Sequence, residues 1–179
     1  VWVTGRMYRE RIETTGARFH PLPKEIDPGE MEIYEFYPQM KELKGLAQIK
    51  WIMKHVFLDA CFPLIETLDS IAVHFQADVF VGDITSYGLG FWSEMIGGES
   101  GACITLVPLS LPSRDTAPWG LGLLPGSNLI TRARNRLLNF VTYRILLRDL
   151  TTYTNNVRRQ LGLDRLNGDF MSAMWKMPS

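Results

Sequence analysis

The chain has 179 residues, 46% hydrophobic and 21% charged, enough apolar material for one domain with a real core and too much for a disordered segment. Nineteen basic residues balance nineteen acidic ones, and this zero net charge argues against a dedicated nucleic-acid binder, which needs a basic excess. No run of about 18 apolar residues occurs that would cross a membrane, and Cys61 and Cys103 make neither a disulfide framework nor a metal-ligand spacing. The start lacks the basic-then-apolar layout of a signal peptide. A cytoplasmic protein with buried thiols and no integral membrane segment is the expectation.

Val1–Trp2–Val3–Thr4 has strand character from the first residue, and Gly5 breaks it. Arg6–Thr15 reads as a short helix closed by Gly16, and Arg18–Phe19–His20 as a strand stopped by Pro21 and Pro23. Strand, helix, strand implies parallel pairing through a crossover. A chain that opens in mid-strand is expected to lack something upstream. Pro21–Gly29 is a loop. From about Pro38 to Phe75, Leu43, Leu46, Ile49, Ile52/Met53, Val56/Phe57 and Ala60 recur at helical steps. A break or kink is expected at Pro63, with Leu64, Leu68, Ile71 and Val73 continuing the run. Asp59, Glu66 and Asp69 on it are either acids or a solvated face.

Ala77–Tyr87 carries the most information. Val79, Phe80 and Val81 predict a short buried strand ending at Asp83, and Gly88–Ile96 predicts the helix that follows. A strand running into a helix puts its last residues at the crevice of an α/β sheet, where ligands bind. Asp83 is therefore either a functional carboxylate or, with Thr85, a cap on the next helix. Ala102–Val107 reads as another strand. Pro108–Asn128 is a long loop with apolar residues (Leu109, Leu111, Trp119, Leu121, Leu123, Leu124) that either cover their own core or line a pocket.

Thr131–Leu161 predicts one long helix with an apolar stripe of Leu137, Val141, Ile145, Leu150, Tyr153, Val157 and Leu161. Arg132, Arg134, Arg136, Arg144, Arg148, Arg158 and Arg159 decorate it. They read as the solvated face of a packed helix, or alternatively as a membrane- or anion-docking surface. Gly162 ends the helix, and Gly168–Met177 predicts a last short one. GxGxxG, the P-loop, HExxH and GxSxG are all absent. His20, His55 and His74 are scattered and read as structural. The residues by themselves define a ligand-binding α/β domain.

Trp2–Val3–Thr4–Gly5, followed at its spacing by Tyr8, Ile12, Gly16–Ala17, Phe19 and Leu22–Pro23, resembles the second strand and following elements of an inverting GT-B glycosyltransferase. The closest group is the macrolide/UDP-glucuronosyltransferase-like one, which glycosylates small, often hydrophobic, acceptors. Ala77–Asp78-x-Phe80–Val81-x-Asp83–Ile84–Thr85–Ser86–Tyr87 resembles the segment that holds that family's catalytic aspartate, and Leu109–Gly122 fits as well. The resemblance covers nearly the whole chain.

It implies a Rossmann-like parallel sheet flanked by helices, one half of a GT-B fold without its first strand. Residues 1–179 would form a single acceptor-binding domain, incomplete at the N-terminus, with the C-terminal donor domain absent. The implied mechanism is metal-independent inverting displacement, in which a histidine deprotonates the acceptor hydroxyl and an aspartate orients it. Asp83 matches that aspartate; the histidine precedes the start of this chain, so the chain alone is expected to be inactive. Thr85, Tyr87, Phe91, Trp92 and Trp119 are the expected contacts for a small hydrophobic acceptor. The co-substrate would be a nucleotide sugar held mainly by a missing domain of the same native chain, with no further cofactor. A non-catalytic ligand-binding module and a subunit of a split transferase stay open as alternatives.

Overall fold

A computed structural model describes residues 1–98, 101–105 and 113–171. The chain falls into two units, Val1–Ala77 and Asp78–Ser179. In the first, β1 (Trp2–Thr4) and β2 (Phe19–Pro21) pair in parallel, with Trp2 opposite Phe19 and Thr4 opposite Pro21. The crossover is a 3-10 turn (Arg6–Tyr8) running into α1 (Arg9–Glu13). The strand–helix–strand pattern is thus borne out. Pro21 fits only because it is the last paired residue, and the ladder closes beyond it where the Leu22 N–H donates to the Thr4 carbonyl at 3.0 Å.

The helical stretch from Pro38 to Phe75 is more broken than its periodicity predicts. The short α2 (Ile33–Phe36) and a 3-10 turn (Pro38–Glu42) precede α3 (Gly45–Trp51), which continues as a π-helix over Ile52–Leu58. After Asp59–Ala60 comes α4 (Cys61–Ala72). The run does break just ahead of Pro63, at Asp59–Ala60. Pro63 is the third residue of α4, in the first turn, where a missing N–H deprives no intrahelical acceptor. Leu58, Cys61 and Ile65 are buried beside the break, with Met40 and Ile12.

The second unit has its own parallel pair, β3 (Phe80–Asp83) and β4 (Gly101–Ile104), with Asp83 opposite Ile104. Among the described residues each unit has one two-stranded parallel sheet, and the composition is α/β. Nor is β3 a fully buried strand: Phe80 meets Trp92 edge-on at 4.9 Å, while Val81 is 58% exposed on the other face. Of the expected strand Ala102–Val107, residues 106 and 107 lie outside the described residues. Helix α5 (Tyr87–Met95) follows β3 as expected.

The expected single helix over Thr131–Leu161 is three segments. Helix α6 (Leu129–Asn139) starts on an Asn128 cap whose side chain accepts from the Thr131 N–H at 2.8 Å. A π-helix (Phe140–Leu146) follows, and α7 (Arg148–Gln160) resumes beyond Leu147. The wider turn rotates the faces before and after it out of register. The predicted stripe is split accordingly: Leu150 and Val157 are buried, whereas Leu137 and Ile145 are exposed. Gly162, at φ 75°, ends the helix in the left-handed conformation that favours glycine. Phe170 and Met171 begin the expected last helix, of which residues 172–177 lie outside the described ones.

The cysteines divide. Cys61 is fully buried, and burial followed by the Asp59 charge pushes its thiol far above the ordinary range. Cys103 is exposed, against expectation, because β4 has an open face. Iodoacetamide at alkaline pH is expected to modify Cys103 in the folded chain and Cys61 only after unfolding, as read by peptide mass mapping. Native alkylation of Cys61 would refute its burial.

Candidate functional site

The end of β3 builds a tight polar turn. Asp83 Oδ1 accepts from the Thr85 N–H at 2.8 Å and from the Thr85 hydroxyl. The Ser86 N–H donates to the Asp83 carbonyl at 2.9 Å, and Ser86 is the residue that precedes α5. Neither Asp83 nor Thr85 caps α5 through its side chain. The carboxylate closes its own turn with one oxygen, and among the described residues Oδ2 has no hydrogen-bond partner. Such an Asx turn fixes the side chain in direction and leaves the second oxygen for an external donor. The Asp83 charge, after burial, also helps to raise the Cys103 thiol, which lies one register position away on β4.

Gly82 lets the Leu89 side chain of α5 lie close against β3. A Cβ there would fall inside van der Waals contact with Leu89 Cδ2 on α5. Gly82→Ala is expected to lower stability by about 1–2 kcal/mol through that overpacking, measured as a shift in the denaturation midpoint. An unchanged midpoint would mean that Leu89 moves aside freely.

The expected acceptor contacts divide between core and surface. Phe91 and Trp92 are buried at 4% exposure, Phe91 beneath the Arg158 guanidinium 5.3 Å away and Trp92 against Phe80. Tyr87 stacks edge-on to Phe170 at 5.8 Å. Trp119 is 65% exposed in the long loop, its backbone hydrogen-bonded to Tyr143. Residues 106–112, including Leu109 and Leu111, lie outside the described ones.

From Ser113 onward the loop is stitched to α6 by polar side chains. Asp115 accepts from Arg132 Nε at 2.6 Å, Asn139 Nδ2 donates to the Ser113 and Thr116 carbonyls, and Arg134 donates to the Leu124 carbonyl. The hydrogen bond from Arg132 holds the Asp115 carboxyl below its ordinary value. The loop's apolar residues Trp119, Leu121, Leu123 and Leu124 are exposed rather than packed over a core.

The arginines divide: Arg136, Arg144, Arg148 and Arg159 are exposed, as a solvated face requires, while several also make ion pairs within the chain. Arg132 pairs with Asp115, Arg144 with Asp169, and Arg158 donates twice to Glu94 at 2.7 Å. No helix among the described residues is long and apolar enough to cross a membrane.

The first unit holds a cavity of about 660 Å³ that the sequence did not point to. His20, Tyr37, His55, Asp59 and Phe62 are on its wall. His55 Nδ1 lies 2.8 Å from Asp59 Oδ2, one helical turn on. An aromatic ladder positions the ring: Tyr37 meets Trp51 at 5.7 Å, and Trp51 meets His55 at 4.9 Å. The signal was available as His55-x-x-x-Asp59, a spacing that places two side chains on one helical face. His20 also lines this cavity and His74 does not.

Comparison with known proteins gives two matches that run the length of the chain. It is 36% identical over 174 residues to 4'-demethylrebeccamycin synthase of Lentzea aerocolonigenes, covering 97% of this chain and 41% of that protein. It is 24% identical over 184 residues to UDP-glycosyltransferase 2 of Phaeomoniella chlamydospora, covering 99% of this chain and 40% of that one. The chain thus spans about two fifths of the length of the curated relatives it matches. No family model and no solved structure matches it. The homologues of this chain are glycosyltransferases, as the resemblance read from its sequence implied.

Proposed function

We propose that this chain is the acceptor-binding part of an inverting GT-B glycosyltransferase, which moves a sugar from a nucleotide-sugar donor to a hydroxyl of a small hydrophobic acceptor. The observation that carries the reading is similarity to glycosyltransferases across nearly the whole chain but only two fifths of each relative. The donor-binding half and the histidine base then belong outside residues 1–179. Asp83 is the orienting carboxylate, because its Oδ1 is locked into the turn with Thr85 while its Oδ2 has no hydrogen-bond partner among the described residues. A carboxylate so held fixes an imidazole's tautomer and stabilises its protonated form as the acceptor hydroxyl is deprotonated. The activated oxygen attacks the anomeric carbon from the face opposite the nucleotide, the bond to the diphosphate breaks, and the configuration inverts.

Thr85 supports the turn, and Trp119 offers an exposed ring to an apolar acceptor. Phe91 and Trp92 act from the core, shaping the floor on which the site stands rather than touching the acceptor, and Tyr87 does the same through Phe170. The stereochemistry is checked on the protein expressed from its own reading frame. An α-linked nucleotide sugar is expected to give a β-glycoside by proton coupling constants, at a rate that EDTA does not change. Retention of configuration, or loss of the rate on chelation, would exclude this mechanism.

A further inference from the structure

The cavity of the first unit joins apolar and aromatic surface to charge of one sign. Glu25, Asp59 and Glu66 line it and no lysine or arginine does, while Ile26, Tyr37 and Phe62 supply apolar and aromatic surface. Its 660 Å³ lie in the range that takes a drug-sized molecule. Glu25 and Glu66 form no ion pair among the described residues, whereas Asp59 is engaged by His55. No group of three or more His, Cys, Asp and Glu side chains among the described residues is arranged to hold a metal ion, which leaves an organic cation as the complement to this charge. The neighbouring groups register the same field: burial, and then the Asp59 charge, raise both the Tyr37 phenol and the Cys61 thiol.

We propose that this cavity binds an apolar, ring-bearing molecule that carries a protonated amine, its rings against Tyr37 and Phe62 and its ammonium toward Glu25 and Glu66. The inference rests on the acceptor-binding reading only in calling that molecule an acceptor. Aromatic faces attract a cation as well as an apolar body, so both parts of the wall favour the same ligand. Glu25 and Glu66 are exposed, so water and salt screen them and the selectivity is moderate.

The test compares 1-naphthylmethylamine with 1-naphthylmethanol, which share a ring system and differ in charge. Titration calorimetry at pH 7.5 is expected to give about five- to tenfold tighter binding of the amine. In a parallel titration followed by proton NMR, the His20 and His55 ring protons shift and those of His74, outside the cavity, do not. The double variant Glu25→Gln, Glu66→Gln changes two exposed side chains. It is expected to bring the two affinities within about twofold of each other, with the alcohol's unchanged. Equal binding of amine and alcohol by the unaltered protein would overturn the proposal, as would no binding of either or shifts confined to His74. If amines bind as described but no sugar is transferred, the transferase reading fails and this inference stands. If neutral acceptors are glycosylated while amines do not bind, the reverse holds.

Discussion

Asp83→Asn, in the protein expressed from its own reading frame, is expected to lower kcat by about a thousand- to ten-thousandfold with acceptor binding unchanged. Asparagine is the informative substitution because its amide oxygen still accepts from the Thr85 N–H and hydroxyl, so the turn after β3 survives. What it removes is the negative charge at Oδ2, where a histidine base would be oriented and its protonated form stabilised. The loss therefore falls on the chemical step, and thermal unfolding stays close to that of the parent. Asp83→Ala is a poorer probe, since it strips the turn of its acceptor and mixes misfolding with lost catalysis. A kcat within about tenfold of the parent would assign Asp83 to the turn alone.

The second large effect concerns the link from α5 to α7. Arg158 is buried with a side chain 7% exposed, while its partner Glu94 is 40% exposed. The guanidinium donates to both Glu94 oxygens at 2.7 Å and through Nε to the Asp164 carbonyl at 2.6 Å, and its flat face lies over Phe91. Glu94→Ala leaves that buried cation without its counter-charge and is expected to cost about 3 kcal/mol of stability. Arg158→Met removes the cation, keeps an apolar chain over Phe91 and leaves Glu94 able to hydrate, so it is expected to cost only about half as much. Urea unfolding of the two variants decides the order. If Arg158→Met proves the more costly, the pair is a net source of stability and not a charge held in balance.

The elements that were legible in the sequence are those with a local cause. Gly16 and Gly162 mark helix ends, the β-branched run before Asp83 marks β3, and the strand–helix–strand opening fixes a parallel pair. The π-helices at Ile52–Leu58 and Phe140–Leu146 were not legible. Both carry apolar residues at three- and four-residue steps, and no glycine or proline inside either announces the wider turn. Pro63 did mark a break, though the interruption falls at Asp59–Ala60 and the proline itself sits in the first turn of α4, where it is tolerated. The site divides the same way. Asp83 stands out in the sequence by its position at a strand end, and the structure holds its Oδ1 in a turn with Thr85. The cavity was missed because its wall comes from four separate stretches, around His20, Tyr37, His55 and Glu66. Burial of Phe91 and Trp92 follows from α5 packing on β3 and was invisible in a sequence where any large aromatic beside the aspartate looks like an acceptor contact.

The most direct test of the account is transfer itself. The protein, expressed from its own reading frame, is incubated with a panel of nucleotide sugars and a panel of ring-bearing hydroxylated acceptors, and each acceptor's mass is read. The account predicts that at least one acceptor gains the mass of one glycosyl unit, with an equal amount of nucleoside diphosphate released, and that Asp83→Asn abolishes both. Acceptor binding without any consumption of nucleotide sugar, across the whole panel, would contradict it.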